Sequence, residues 1–403
     1  MIHRTSPGGS RARALPIERC LRFGLAALLC AACSPPAYRA DAPASGAVPI
    51  GELRFERVLL LETASETSAN VAIGDVNGDG NLDLVLAKGR HWPLVDRVLL
   101  GDGRGGIVQA YDLGDASDRS YSGRLADLDA DGDLDVVISN DAPDPKLVYL
   151  NDGSGRFRRG STFGRPEWPT RNASVADLDG DGLPDIIVAN RGDSTGANYV
   201  CMNRGEGRFD GECEPFSDAP ATTITPADFD RDGRIDLAVP HRDGGQSHVY
   251  LNDGDATFAN SRRVPFGPPD AHIRMVEAAD LDGDGMLDIV AIDERRGVSA
   301  YFGRPDGTFS PGVAIAPATP TPYALAVGDL NRDGRIDVVV GHVEAPSTAY
   351  FNVDGRTYTP LAFGDSLGAA YGFAIADLDR DGLVDIAVAR SDAPNVVYFG
   401  VRR

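Results

Sequence analysis

The sequence predicts an all-β fold, a seven-bladed β-propeller with four antiparallel strands per blade, and three observations carry that prediction. A nine-residue acidic loop recurs seven times, beginning at Asp75, Asp127, Asp177, Asp228, Asp280, Asp329 and Asp377, so a self-similar unit of about 50 residues fills the chain beyond residue 50. Each unit reads as short β-branched runs separated by Gly- and Asp-rich turns, with no helical period. The repeat region also begins and ends with partial units, and the two fragments complement each other.

Residues 1–33 lie outside this pattern. Arg4, Arg11, Arg13 and Arg19 precede, and Arg22 falls at the start of, an apolar run, Leu21 to Ala32, which is too short to span a bilayer and ends in small residues, as a secretory signal does. Ala31-Ala32-Cys33 resembles the end of a bacterial lipobox, with Cys33 as the lipidated first residue of the mature chain, although Cys30 stands where Leu is usual. The expectation is therefore an exported protein: an outer-membrane lipoprotein, or a periplasmic or extracellular one that meets the membrane only through that anchor. Residues 34–50, rich in Pro and Ala, read as a flexible linker.

The propeller is expected over residues 51–403. In the third unit Ala173 to Ala176 leads into the acidic loop, Asp185-Ile186-Ile187-Val188-Ala189-Asn190 forms a second strand and Tyr199-Val200-Cys201-Met202 a third, and Phe209 opens a fourth. Closure follows from register. Phe157 precedes Asp177 by 20 residues, and Phe55, in Gly51-Glu52-Leu53-Arg54-Phe55, precedes Asp75 by 20, so the region opens with a fourth strand. It ends with a third, Asn395-Val396-Val397-Tyr398-Phe399-Gly400. An N-terminal strand that completes the last blade closes a ring and removes open sheet edges. The residue before every loop is Gly or Ala (Gly74, Ala126, Ala176, Ala227, Ala279, Gly328, Ala376), as expected where inner strands converge on an axis.

The loops themselves read as oxygen cages. Position 1 is Asp75, Asp127, Asp177, Asp228, Asp280, Asp329 or Asp377, and position 3 is Asn77, Asp129, Asp179, Asp230, Asp282, Asn331 or Asp379. Position 5 is Asp79, Asp131, Asp181, Asp232, Asp284, Asp333 or Asp381, and position 9 is Asp83, Asp135, Asp185, Asp236, Asp288, Asp337 or Asp385. Position 7 varies freely (Asn81, Asp133, Leu183, Arg234, Met286, Arg335, Leu383), as a carbonyl ligand would allow. A Gly at position 6 in all seven permits the sharp turn. Calcium accepts 6–8 hard oxygens, whereas magnesium resists giving up its waters to an all-protein cage, so up to seven Ca²⁺, one per blade, are expected. Without metal the clustered acids repel one another.

The formal net charge of −21 argues against nucleic acid or an anionic membrane as partner, and the chain is expected to act as a monomer. Beyond the signal the cysteines are Cys201 and Cys213, six residues either side of Gly207 in a Gly-rich turn. Export favours a disulfide across that hairpin over two free thiols.

The run Val175-Ala176-Asp177-Leu178-Asp179-Gly180-Asp181-Gly182, with Asp185 to Asn190 after it and Asn151-Asp152-Gly153-Ser154-Gly155-Arg156-Phe157 in the preceding unit, resembles FG-GAP/VCBS repeats, the calcium-binding blades of integrin α-subunit propellers. The resemblance spans residues 51–403 and implies fold and metal. Such propellers serve adhesion and carbohydrate binding and occasionally carry lyase sites, so it does not choose among functions.

Four antiparallel strands per blade put the acidic loops and Gly-rich turns on one face and the 2–3 and 4–1 connections on the other. The second face gathers His91, Trp92, Tyr121, Trp168, His241, His248, His272, Arg274, Tyr323 and Tyr371, together with His342. Variable loops on a rigid scaffold are the usual place for binding, and these side chains suit a glycan or a protein ligand. The competing reading is that they are ordinary loop residues, the tryptophans plugging loops onto blades. Arg191-Gly192-Asp193-Ser194 spells an integrin-recognised tripeptide, unsurprising by chance in a chain rich in these residues. No nucleophile elbow, zinc spacing or phosphate-cradling loop is present, which leaves a non-catalytic binding module as the expectation. The alternatives are a Ca²⁺-dependent polysaccharide lyase or hydrolase using His241, His272 or Arg274, and a structural surface scaffold.

Overall fold

The computed structural model describes residues 46–192, 197–209, 211 and 213–403. The signal, Cys33, most of the linker, and Asp193 of the tripeptide with the Ser194 after it lie outside them. Among the described residues every regular element is a strand. The first is β1 (Leu53–Leu60), followed by β2–β5 (Glu66–Gly74, Asp83–Lys88, Arg97–Gly101, Ile107–Asp112) and β6–β9 (Ser120–Ala126, Asp135–Asn140, Lys146–Asn151, Phe157–Phe163). Next come β10–β13 (Thr170–Ala176, Asp185–Asn190, Asn198–Cys201, Glu214–Ser217) and β14–β17 (Thr225–Ala227, Asp236–Val239, Ser247–Tyr250, Arg263–Phe266). The last are β18–β21 (Ile273–Ala279, Asp288–Asp293, Gly297–Tyr301, Val313–Ala316), β22–β25 (Pro322–Gly328, Asp337–His342, Ser347–Asn352, Tyr358–Phe363) and β26–β28 (Ala369–Ala376, Asp385–Ala393, Val396–Arg402).

These strands form five four-stranded antiparallel sheets, each made of consecutive strands, and one sheet of eight. The larger sheet holds two ladders, β2-β3-β4-β5 and β26-β27-β28-β1, joined where β2 meets β27 at Glu66↔Ala393 and Thr67↔Ser391. The fourth strand of the third unit begins at Glu214 rather than at Phe209, which instead lies buried in the core. The turn between Cys201 and Cys213 is long enough to fold Phe209 inward before pairing resumes.

Burial explains the strand patterns. The second strand of a sheet is covered on both sides: every residue of β7, β11, β19 and β23 is buried, so each reads as a short apolar run between its leading Asp and a polar last residue. The fourth strand lies outermost, and β5 and β9 are largely exposed. The apolar core is divided among clusters lying between neighbouring sheets, such as Val85, Val98 and Leu100 against Val136, Ile138 and Leu147. One cluster joins the first ladder to the last, through Leu84, Leu86 and Leu99 against Ala387, Val397 and Phe399. On the inner strands a Cβ on Gly74 would lie 2.7 Å from Leu134 Cδ1 and one on Gly328 2.4 Å from Ile375 Cδ1, so a side chain at either position would have to displace that neighbour.

The strand β1 pairs with β28 from Leu53↔Arg402 to Leu60↔Val396, and Leu53 and Phe55 are buried against Phe363, Val396 and Tyr398. The last residues of the expected linker are not a loose tether. Val48 is 3% exposed, packs in the same cluster, and its N–H donates to the Asn331 carbonyl at 2.8 Å. An apolar side chain with a place in the core orders the backbone that carries it, whatever the composition of its neighbours.

Candidate functional site

All seven acidic loops fold on one hydrogen-bond plan. The N–H of the Gly at position 6 donates to the position 1 carboxylate, at 2.8–3.0 Å. The N–H of position 7 donates to position 5. Position 9 is buried and accepts twice, from the N–H of position 2 and from an N–H at the end of the third strand, as Asp135 does from Leu128 at 2.9 Å and Asn151 at 2.8 Å. It thereby fastens the loop to the sheet. Position 6 has φ between 80° and 95° in every copy. So does an unexpected neighbour: position 4 has φ between 59° and 77°, although it is Ala130, Arg231, Arg332 or Arg380 in four of the loops.

This fold turns carboxylates from positions 1, 3 and 9 onto one point. In five loops, those beginning at Asp127, Asp177, Asp228, Asp280 and Asp377, oxygens from these positions lie within 4.8 Å of one another and could hold a metal ion. Position 5 is outside that cluster, one of its oxygens being held by the position 7 N–H. Asp129 Oδ1, Asp282 Oδ1 and Asp377 Oδ1 are buried without a hydrogen-bond partner, the state expected of oxygens shaped for a cation. Burial pushes the position 9 carboxyl up to about 7 in Asp135, Asp185, Asp236, Asp288 and Asp385, against the two hydrogen bonds that favour its charge, and an adjacent dication would oppose that rise.

The loops at Asp75 and Asp329 differ. Their position 3 is an amide, and Asn77 and Asn331 each turn Nδ2 toward the position 5 carboxylate, at 3.2 and 3.0 Å. Asn331 is 2% exposed beneath Val48, where a second charge would be costly. At position 7 the side chain is not idle in two loops: Arg234 and Arg335 bond the position 5 acids Asp232 and Asp333 and the carbonyls of Asn252 and Asn352.

At the opposite end of the inner strands is a cavity of about 510 Å³, lined by residues of β2, β6, β10, β18, β22 and β26 and by Thr222 and Thr223 just before β14. One structural device shapes its mouth. In six inner strands the pairing slips by one residue at the same place, leaving Ala69, Tyr121, Arg171, Arg274, Tyr323 and Tyr371 unpaired. A bulge re-aims the extra side chain, and all six line the cavity. Each stands six positions before its acidic loop, as Thr222 does in the remaining unit.

The mouth is cationic and aromatic. Arg274 lies 3.2 Å from the Tyr323 ring centre, Arg90 3.6 Å from that of Tyr371 and Arg171 4.6 Å from that of Tyr121. The Tyr371 hydroxyl donates to that of Tyr323 at 2.7 Å. Burial acts to raise the Tyr323 hydroxyl, but Arg274 and the bond from Tyr371 outweigh it, and its pKa falls below the usual phenol value. Burial, with Tyr323 beside it, drives Tyr371 the other way. His91 reaches the Tyr121 hydroxyl at 3.1 Å, and burial followed by Arg90 and Arg171 holds it below the ordinary imidazole value. Deeper in the channel Glu277 touches the open space yet is surrounded by protein, and burial raises it to about 7 despite Arg124.

Of the ten side chains expected on this face, the cavity gathers five: His91, Tyr121, Arg274, Tyr323 and Tyr371. Trp92 is exposed beside the mouth. Trp168 is a correction: it is buried, stacked on Tyr199 with ring centres 3.9 Å apart, and plugs its loop onto the sheet. His248 lies in β16, edge-on to Tyr250, and His342 is buried with Nδ1 2.9 Å from the Pro346 carbonyl. His241 and His272 flank Gly244 and Gly245 outside the cavity, so the trio invoked for an enzyme is not assembled there. Position-by-position reading missed Arg90, Arg171, Arg191, Arg242 and Glu277; for Arg171 the fixed offset from the loop was the available signal. Cys201 and Cys213 are bonded.

Five overlapping segments, residues 75–138, 127–188, 177–239, 228–291 and 280–340, match the FG-GAP-like repeat family. No curated protein matches the sequence. Among solved structures the fold is similar to the BP39L lectin from Burkholderia pseudomallei (TM-score 0.64, 16% identity, 84% of this chain and 96% of that one). It is also similar to BBS1N from its complex with ARL6DN (TM-score 0.57, 12% identity, 85% and 94%) and to the Neurospora crassa Pan2 WD40 domain (TM-score 0.53, 10% identity, 84% and 94%). At these identities the likeness shows a β-propeller fold alone. The matched repeats run through two thirds of the sequence and coincide with the acidic loops and the strands on either side of them, so the chain belongs to the FG-GAP-like repeat family.

Proposed function

We propose that this is an exported, calcium-braced, seven-bladed propeller, acting as a monomer, that binds a glycan or protein ligand through the face opposite the acidic loops. The seven-blade reading takes the eight-stranded sheet as two blades, β2–β5 and β26-β27-β28-β1, touching through two residue pairs. Clusters between every neighbouring pair of ladders, the last against the first, support it. The three-carboxylate clusters with unpartnered oxygens support calcium, with positions 1, 3 and 9 as side-chain ligands. When bound, the ion would neutralise the cage and hold the loop shut.

The observation that carries the binding reading is the cavity itself. Inner strands from all around the molecule deliver, at one offset, the side chains that form a single mouth. A site so built is concave and largely preformed, as ligand sites are. Export, and an anchor at Cys33, rest on the sequence of residues 1–33. The test is a glycan array, with a pull-down for protein partners, using the tag-purified mature chain in millimolar Ca²⁺. Saturable binding lost with Tyr323→Ala and Arg274→Ala supports the reading, and the absence of binding in both assays refutes it in favour of a scaffold. The lyase reading keeps one supporting observation, the lowered Tyr323 hydroxyl beneath Arg274. Release of unsaturated sugars from an acidic polysaccharide would favour it.

A further inference from the structure

We propose that the channel mouth is an oxyanion site, taking the carboxylate of an acidic sugar or the phosphoryl group of a phosphorylated one. The proposal rests on this face being the binding face and names the group it recognises. In a chain of net charge −21 the described residues of the cavity wall include six arginines and, among them, a single acid, Glu277. Local counter-charges leave an excess: Asp141 pairs with Arg171 and Asp243 with Arg191, while Glu294 alone serves both Arg242 and Arg274. Arg90 has no acid partner among the described ion pairs. Its Nη1 donates to Ser391 Oγ, and its plane lies over Tyr371.

The second observation is a buried donor with nothing to bond. Arg242 is 6% exposed and lines the cavity, yet its Nε has no hydrogen-bond partner, nor has the buried Nε of Arg90. A buried guanidinium N–H left unpaired is costly, and a fold keeps it where a ligand completes the bond. Arg242 and Arg274 meet at one oxygen of Glu294, so their guanidinium groups are neighbours in the cavity wall. Planar guanidinium donors match carboxylate and phosphoryl oxygens in pairs, which a neutral hydroxyl does not reproduce. A low-dielectric channel also focuses the field of its excess charge on an entering anion. The space, about 510 Å³, suits one or two sugar rings rather than a folded partner.

The experiment is titration calorimetry on the mature chain in saturating Ca²⁺ with galacturonate, glucose 6-phosphate, inorganic phosphate and neutral glucose, repeated with Arg242→Gln and Arg90→Gln. Circular dichroism and melting confirm that each variant folds, and Arg90, less buried than Arg242, keeps the test decisive if Arg242→Gln does not. The expected result is binding of an anionic probe that weakens with salt, about tenfold or more tighter than glucose and about tenfold weaker in the folded variants. Galacturonate alone assigns a carboxylated sugar, and the two phosphates a phosphoryl ligand. Glucose bound as tightly as the acids, no anion bound at about 10 mM, or affinities unchanged in both variants overturns the proposal. A neutral glycan bound on the array with no anion bound here would leave the binding reading standing and remove this one; an anion bound here with a blank array would do the reverse for the glycan.

Discussion

Asp96 is 6% exposed at the end of the connection into β4, where it accepts from the Lys88 N–H at 2.7 Å and from the Ser120 hydroxyl at 2.9 Å. Burial, with a smaller contribution from Asp118, raises its carboxyl to about 7 against those hydrogen bonds and the nearby Lys88 charge. The last blade places Asn395 in the same role: its Oδ1 accepts from the Arg390 N–H at 2.7 Å, and its Nδ2 donates to Ser68, the counterpart of Ser120, at 2.9 Å. Asp96→Asn therefore keeps both contacts and removes only the titration. Below the unfolded carboxyl value both states are protonated and the charge costs nothing. As pH rises, the unfolded chain ionises first, so stability is lost progressively from about pH 4 to pH 7 and then levels. A rise of about three units corresponds to a ceiling of about 4 kcal/mol. The variant should match the wild type near pH 4 and exceed it by about 2–4 kcal/mol at pH 8, a gain of a few °C in Tm. Paired melting curves across that range, both proteins in saturating Ca²⁺, measure the difference. A variant equal to or less stable than the wild type at pH 8 would refute the reasoning.

Chelation should lower Tm by many degrees relative to millimolar Ca²⁺, and calorimetry should separate five stronger sites from the two loops with Asn77 and Asn331; Asp177→Ala should remove one equivalent, and equal melting with and without metal would count against calcium. Phe55→Ala should cost about 3–4 kcal/mol by emptying a buried position between β1 and Phe363, and deletion of residues 51–63 should prevent cooperative folding; an unaffected deletion would sink the closure of the ring. Reduction of the Cys201–Cys213 bond, 12 residues apart, should cost about 3 kcal/mol and add the mass of two thiol hydrogens, and an unchanged mass would show free thiols.

The loops made the architecture legible. Seven copies in register spell the period, and complementary fragments at Phe55 and Asn395 imply the pairing of β1 with β28. Position 6 was readable because Gly occupies it throughout. Position 4 was not, because Ala130, Arg231, Arg332 and Arg380 hide a left-handed conformation that only the completed hydrogen-bond plan imposes. The mouth was half legible. His91 and the tyrosines attract notice by residue type, whereas Ala69 and Arg171 share the bulge, and Thr222 the offset, but no chemistry, so only counting back from the loop identifies them. Trp168 misled because exposure cannot be read from a lone aromatic in a connecting segment.

The fixed offset explains how one repeat can brace a fold and vary the side chains at its mouth at the same time. In six of the seven units the inner strand carries a bulged residue six positions before its acidic loop, a span of roughly 20 Å at the rise of an extended chain. At the loop end, positions 1, 5, 6 and 9 are tied by hydrogen bonds found in all seven copies, so substitution there disturbs the sheet. At the bulge end, the side chain leaves the ladder without breaking the pairs on either side, as Ser120↔Asn140 and Ser122↔Ser139 continue around Tyr121. A residue there can change from Ala to Tyr to Arg at little cost to the strand that carries it. The acidic loops are thus the constant part of the blade and the bulges its variable part. Side chains at the mouth are free to vary because hydrogen bonds found in every copy secure the loops at the far end.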